Sequence, residues 1–166
     1  MPATGTCAAS SVTPGGSAAV QGTLALQPFR ADLRIEAAGL GDLAEIDSAG
    51  TGDWHVGCSP DHRAIATAAA HGVDIAGLRG RQLSARDFAE FDWLLCADRD
   101  NLRNVRALAP DAAARDKAVL LLDWAGVEPC GEVPDPYTGG PEHFEQVWAL
   151  LERAADGVVQ RLRDHR

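Results

Sequence analysis

Asp135 is the residue of this chain best placed to do chemistry. It stands between Pro134 and Pro136 in the run Asp135-Pro136-Tyr137-Thr138-Gly139-Gly140-Pro141. Proline on both sides restricts the backbone, so the carboxyl has few conformations to lose, which suits an acid that protonates a leaving oxygen. In isolation Asp-Pro-Tyr is also an ordinary turn. Two aromatic residues could wall a cleft for a flat ring: Tyr137, and Trp54 at the tip of the small-residue loop Asp47-Ser48-Ala49-Gly50-Thr51-Gly52-Asp53-Trp54-His55-Val56-Gly57. A loop Trp can equally pack on its own domain. Asp98 and Asn101 could orient a neighbouring loop through hydrogen bonds, or Asp98 could simply cap a helix. The histidines, His55, His62, His71, His143 and His165, show no ligand spacing and read as surface or capping residues, so no metal site is expected.

These groups must be held by an orderly scaffold, which the sequence predicts from Leu43 onward. Short apolar runs at Leu43–Ile46, Trp93–Ala97 and Ala118–Leu122 suit buried strands, and helical patterns separate them. That alternation predicts an α/β fold with a small parallel sheet flanked by helices. Pro60–His71 reads as an Ala-rich helix ended by Gly72, and Asp98 opens one carrying Leu102, Val105 and Leu108. Pro141 begins the clearest helix, with Phe144, Val147, Trp148, Leu151, Ala155, Val158 and Leu162 as its apolar stripe. In such sheets ligands bind beyond the carboxyl ends of the strands, which is where the Ser48, Asp98 and Asp135 segments fall.

The first third differs in kind. Of residues 1–34, 21 are Ala, Gly, Pro, Ser or Thr, and the stretch from Ser10 to Ser17 has neither helical nor strand periodicity. It reads as a loop or disordered segment ahead of one domain spanning 35–166. Thr23–Leu26 is a strand-like scrap, and Phe29–Ala38 patterns as a helix stopped by Gly39. A chain of 166 residues suits a single domain with a real core. Its net charge of −9 argues against nucleic acid or an anionic membrane surface as partner. The absence of a membrane-length apolar stretch or signal-peptide pattern, and scattered cysteines without a C-x-x-C, predict a soluble cytoplasmic protein. Lys117 is the only lysine among 15 basic residues, which with the Ala and Gly content suggests a GC-rich coding sequence.

Taken together, and in this order, several segments resemble the low-molecular-weight protein tyrosine phosphatase family. They are Asp47–Thr51 with Trp54-His55, Gly72-Val73-Asp74 leading to Arg79-Gly80-Arg81-Gln82, Asp98 with Asn101, and Asp135-Pro136-Tyr137 with Gly139-Gly140-Pro141. The resemblance implies a four-stranded parallel sheet and hydrolysis of phosphotyrosine monoesters through a cysteinyl-phosphate intermediate, with no metal or cofactor. It implies that Asp135 is the proton donor, that Trp54 and Tyr137 line the substrate cleft, and that Ser48, Asp98 and Asn101 are supporting residues. Partners would be a tyrosine-phosphorylated protein or a small aryl phosphate.

The chain departs from this family at its N-terminus. The family opens with an apolar central strand succeeded at once by Cys-x5-Arg, whose backbone amides and Arg hold the phosphate while a helix dipole favours the thiolate. Cys7 is the nucleophile candidate by location, but the sixth residue after it is Thr13. Cys58 has Arg63 only five positions on, Cys96 lies in an apolar run, and Cys130 has no basic neighbour. Leu78 stands where many members carry a His. Residues 1–34 are thus expected to lack both the nucleophile loop and the central strand, through a frame error in the gene or through genuine loss in a binding-only pseudophosphatase.

Overall fold

The computed structural model describes residues 16–21, 37–39, 44–53, 55–129 and 131–164. Its centre is a sheet of four parallel strands in the order β2-β1-β3-β4. They are β1 (Gly16–Gln21), β2 (Ala44–Ser48), β3 (Phe91–Cys96) and β4 (Ala118–Leu120). Among the described residues the helices are α1 (His62–Ala70), α2 (Ala85–Glu90), α3 (Arg99–Leu108), α4 (Ala112–Asp116), α5 (Leu121–Ala125) and α6 (Pro141–Asp164).

β1 corrects two expectations at once. Residues 16–21 are a strand rather than loop or disorder, and the central place in the sheet is filled. β1 pairs in register with Ala44–Ser48 on one side and with β3 on the other. The composition of this stretch hides it because a central parallel strand, covered on both faces, has no reason to alternate polar with apolar residues. Pairing on both edges supplies what local propensity does not. Cys7, Trp54, Cys130, His165 and the Thr23–Leu26 scrap lie outside the described residues. Of the helix read over Phe29–Ala38 only the end is described, where Gly39 has φ +67°.

The third strand pattern also needs correction. Ala118–Leu120 is strand, but Leu121 and Leu122 begin α5, both buried. A run of consecutive apolar residues does not distinguish a buried strand from a buried helical turn.

β3 separates two cores because successive side chains point to opposite faces. Leu95 joins Ala64 and Ala68 of α1, Trp124 of α5 and the α6 stripe of Phe144, Val147, Trp148, Leu151 and Val158. Leu94 and Cys96 join Phe88 of α2, Val105 of α3, Ala114 of α4 and Leu120 of β4. Cys96 is wholly buried, as its apolar run predicts. Lys117 closes the second layer: its Nζ donates to the carbonyls of Phe88 at 2.7 Å and Phe91 at 2.9 Å. Among the described residues no helix is long and apolar enough to cross a membrane.

Candidate active site

All four strands end on one edge of the sheet, and the register fixes which ends are neighbours. Ser48 pairs with Val20 and Cys96 with Gln21, so the last residues of β2 and β3 flank the last residues of β1. The chain leaves β1 for one neighbour and reaches the other only after β2, which makes the β1/β3 boundary the switch point where such sheets place ligands.

Asp98 and Asn101 stand just beyond β3. Asp98 is the N-cap of α3, its Oδ1 accepting from the Asn101 N–H at 2.7 Å, and its Oδ2 accepts from Asn101 Nδ2 at 2.6 Å. Asn101 is 1% exposed. Both carboxylate oxygens are therefore turned to one buried residue, and the observed role of Asp98 is that of a helix cap. Burial pushes the Asp98 carboxyl above the usual carboxylate range, and the charges of Asp100 and Glu132 add to this against the opposing pull of the Asn101 N–H.

The Asp135 segment is tied to the same edge. The Val133 N–H donates to the Ala97 carbonyl at 2.8 Å, and the Arg99 N–H to Glu132 Oε1 at 2.7 Å. Asp135 is exposed and its Oδ1 accepts from the Tyr137 N–H at 3.0 Å, while Gly139 N–H closes the turn onto the Pro136 carbonyl at 2.9 Å. Pro136 is buried and Tyr137 is 55% exposed. His143 accepts from the Gly140 N–H at 3.0 Å through Nδ1, a capping role at the start of α6.

One residue that sequence reasoning missed meets this turn from α1. Asp61 caps α1 by accepting from the Arg63 N–H at 2.8 Å, and the Arg63 guanidinium forks back onto the same carboxylate, Nε to Oδ1 at 3.0 Å and Nη2 to Oδ2 at 2.8 Å. Arg63 Nη1 donates to the Gly139 carbonyl at 3.2 Å. The guanidinium carbon lies 5.3 Å from the Tyr137 ring centre and 4.7 Å from that of Phe144. The hydrogen bond from Arg63 holds the Asp61 carboxyl below its usual range despite partial burial. Arg63 is in turn held above its ordinary value, first by Asp61 and further by the charges of Tyr137 and Asp135. The local signal is present in Cys58-Ser59-Pro60-Asp61-His62-Arg63, where Asp-x-Arg at a helix start marks a cap whose arginine can fold back onto it.

The loop after β2 is fastened to the 80–83 segment. Gly50 N–H donates to the Arg81 carbonyl and Leu83 N–H to the Gly50 carbonyl, each at 2.7 Å, and Gly57 N–H to the Gly80 carbonyl at 2.8 Å. A Cβ on Gly80 would stand 2.3 Å from the His55 carbonyl oxygen, so only glycine fits. Arg81 bridges Asp47 at 2.8 Å and the buried Asp87 at 2.7 Å. Burial alone would raise the Asp87 carboxyl, but Arg81 and Ser84 outweigh it and hold it below the usual range. Cys58 is an exposed thiol beside this loop.

The order and geometry of these segments agree with known proteins. Residues 27–166 match the pattern described as low molecular weight phosphotyrosine protein phosphatase. The chain belongs to that family. A Streptomyces coelicolor relative named low molecular weight protein-tyrosine-phosphatase is 39% identical over 138 residues, covering 82% of each chain. A Schizosaccharomyces pombe relative, a low molecular weight phosphotyrosine protein phosphatase, is 39% identical over 118 residues, covering 70% of this chain and 74% of its own. The solved structure of a protein tyrosine phosphatase from Entamoeba histolytica superimposes with a TM-score of 0.77 at 27% identity, over 84% of this chain and 88% of that one. By family the chain is an enzyme, a phosphoric monoester hydrolase of the protein-tyrosine-phosphatase class. The family match begins at residue 27, after β1 and before the 34/35 boundary expected from composition.

Proposed function

We propose that this chain carries the acid side and the cleft of a phosphotyrosine monoester hydrolase but lacks its thiolate side, so that turnover is strongly impaired. One observation carries the reading. β1 ends at Gln21, and the next cysteine after it is Cys58, beyond β2, whereas Cys7 precedes β1 by nine residues. The family's Cys-x5-Arg belongs at the carboxyl end of that strand. Without that spacing the sequence offers no thiolate paired with an arginine six positions on, the pair that would take the phosphoryl group and clamp the phosphate.

In the intact reaction Asp135 would give its proton to the aryl oxide leaving group. As a carboxylate it would then take a proton from the water that cleaves the phosphoenzyme. Trp54 and Tyr137 would wall the cleft for the aryl ring, and Ser48, Asp98 and Asn101 would support the strand ends around it. The substrate would be a tyrosine-phosphorylated protein or a small aryl phosphate.

A second reading gains from β1. Because the sheet keeps all four strands, the cleft loops remain carried by an intact scaffold, which favours a pseudophosphatase that binds aryl phosphate without hydrolysing it. The deciding experiment is turnover of p-nitrophenyl phosphate by the full chain alongside calorimetric titration with phosphotyrosine. The expected outcome is no hydrolysis above buffer, unchanged in Cys7→Ser. Clear turnover lost in Cys7→Ser would make Cys7 the nucleophile and end the proposal. Binding without turnover selects the pseudophosphatase reading. A Cys-x5-Arg segment in another frame of the DNA for residues 1–34 would place the loss in the gene's reading frame.

A further inference from the structure

We infer that Arg63, set by Asp61, is a positioning residue for the Asp135–Gly139 turn: its fork on Asp61, its bond to the Gly139 carbonyl and its place over the Tyr137 ring fix that turn against the starts of α1 and α6. The inference rests on the reading of Asp135 as the acid. Three contacts of different kinds converge on one guanidinium, and each constrains a different degree of freedom. The fork onto Asp61 at 3.0 and 2.8 Å fixes the plane of the group on a helix cap. The 3.2 Å bond to Gly139 holds the far end of the turn. The guanidinium lies over the Tyr137 ring at 5.3 Å and over the Phe144 ring of α6 at 4.7 Å, so one cation meets both the turn and that helix.

The turn needs such a clasp. Its own hydrogen bonds are short-range, Tyr137 N–H to Asp135 and Gly139 N–H to Pro136, and both Asp135 and Tyr137 are exposed. Turns of this kind open readily unless long-range contacts hold them. Arg63 reaches 76 residues along the chain to Gly139. Lysine could supply the charge, but neither the fork nor a flat face to lay on the ring.

Tyr137 is the only tyrosine in the chain, so a protein grown with ring-13C tyrosine reports on this turn alone. The full chain is compared with Arg63→Met, Arg63→Lys and Asp61→Asn by Tyr137 ring cross-peaks and by hydrogen exchange at the Tyr137 and Gly139 amides. In Arg63→Met the ring signals should move toward those of free tyrosine and the two amides should exchange about tenfold faster or more. Arg63→Lys should resemble Arg63→Met rather than the parent. Asp61→Asn, which keeps the guanidinium but loosens its anchor, should shift the same signals less, and it carries the test if Arg63→Met does not fold. Parent-like ring signals and exchange in the folded variants would overturn the inference. If Asp135 were not the acid these shifts would still appear, and that failure would be seen instead in the turnover of Asp135→Asn made in an enzyme restored with an intact Cys-x5-Arg segment ahead of about Gly39.

Discussion

The ends of β1 and β3 lie side by side on one edge of the sheet, yet the segments that continue from them are equipped differently. Beyond β3 the polar groups are committed: Asp98 to Asn101, Glu132 to Arg99, Val133 to Ala97 and Asp135 to Tyr137. Beyond β1 the sequence continues Gly22-Thr23-Leu24-Ala25-Leu26 with no cysteine to place at the switch point. β1 nevertheless pairs in parallel with β2 and β3 along its length, with a register shift against β3 between Ser17 and Ala18. Strand pairing in β1 rests on backbone contacts with its neighbours, whereas chemistry on such a sheet is carried by particular side chains of the loops beyond the strand ends.

Restoring the missing side would sharpen this contrast most. With an intact Cys-x5-Arg segment joined ahead of about Gly39, turnover should return, and Asp135→Asn should then lower it by about 10²–10⁴-fold on phenyl phosphate. p-Nitrophenyl phosphate, whose leaving group needs less protonation, should suffer less. Equal losses on the two substrates would demote Asp135 to a loop residue.

The strand itself can be broken next. Ala19 lies within β1, paired with Asp47 on one side and Leu94 on the other. Ala19→Pro removes a donor from a central ladder and strands its partner, which should cost on the order of 3 kcal/mol in urea unfolding. A change below about 0.5 kcal/mol would mean that the sheet does not depend on β1.

On the committed side, Arg81→Met would leave Asp87, 4% exposed at its side chain, without its cation. The Ser84 N–H and hydroxyl still reach Asp87, so the expected loss is about 2–3 kcal/mol at pH 7. Because the folded-state carboxyl of Asp87 is held below its ordinary value, the stability it contributes is present above the ordinary carboxylate range. It is lost as pH falls through the folded value. The gap between parent and variant should therefore narrow in acid, and a gap that stays constant down to about pH 2 would contradict this assignment.

Asp98 should give the smallest effect, with the opposite sign. Its carboxyl is raised in the folded state, so the fold favours the protonated form and stability falls as pH climbs from about 4 through the raised value. Asp98→Asn keeps a cap oxygen but cannot ionise. Measured by urea unfolding, the stability of the parent relative to this variant should decline over that window; a rise would refute the burial argument.

Much of the fold and part of the site were legible in the residues. The α6 stripe, the caps at Asp98 and Pro141, and the β3 run predicted their elements because each carries its periodicity within a short window. Leu121–Leu122 misled because buried strand and buried helical turn share one pattern. Arg63 was passed over because its partners, Asp61 close by and Gly139 far along the chain, identify it only when seen together.

What the sequence determined by itself was the chemical inventory: an acid held between prolines, its order relative to Trp54, Asp98 and Asn101, and the lack of any Cys with Arg six positions on. Those are facts of composition and spacing that no fold can alter. What only the tertiary structure decided was that Gly16–Gln21 is the central strand and that Arg63 reaches the Asp135 turn. Both depend on contacts between segments distant along the chain, ladder pairing in one case and a hydrogen bond across 76 residues in the other, and such contacts leave no local periodicity to read.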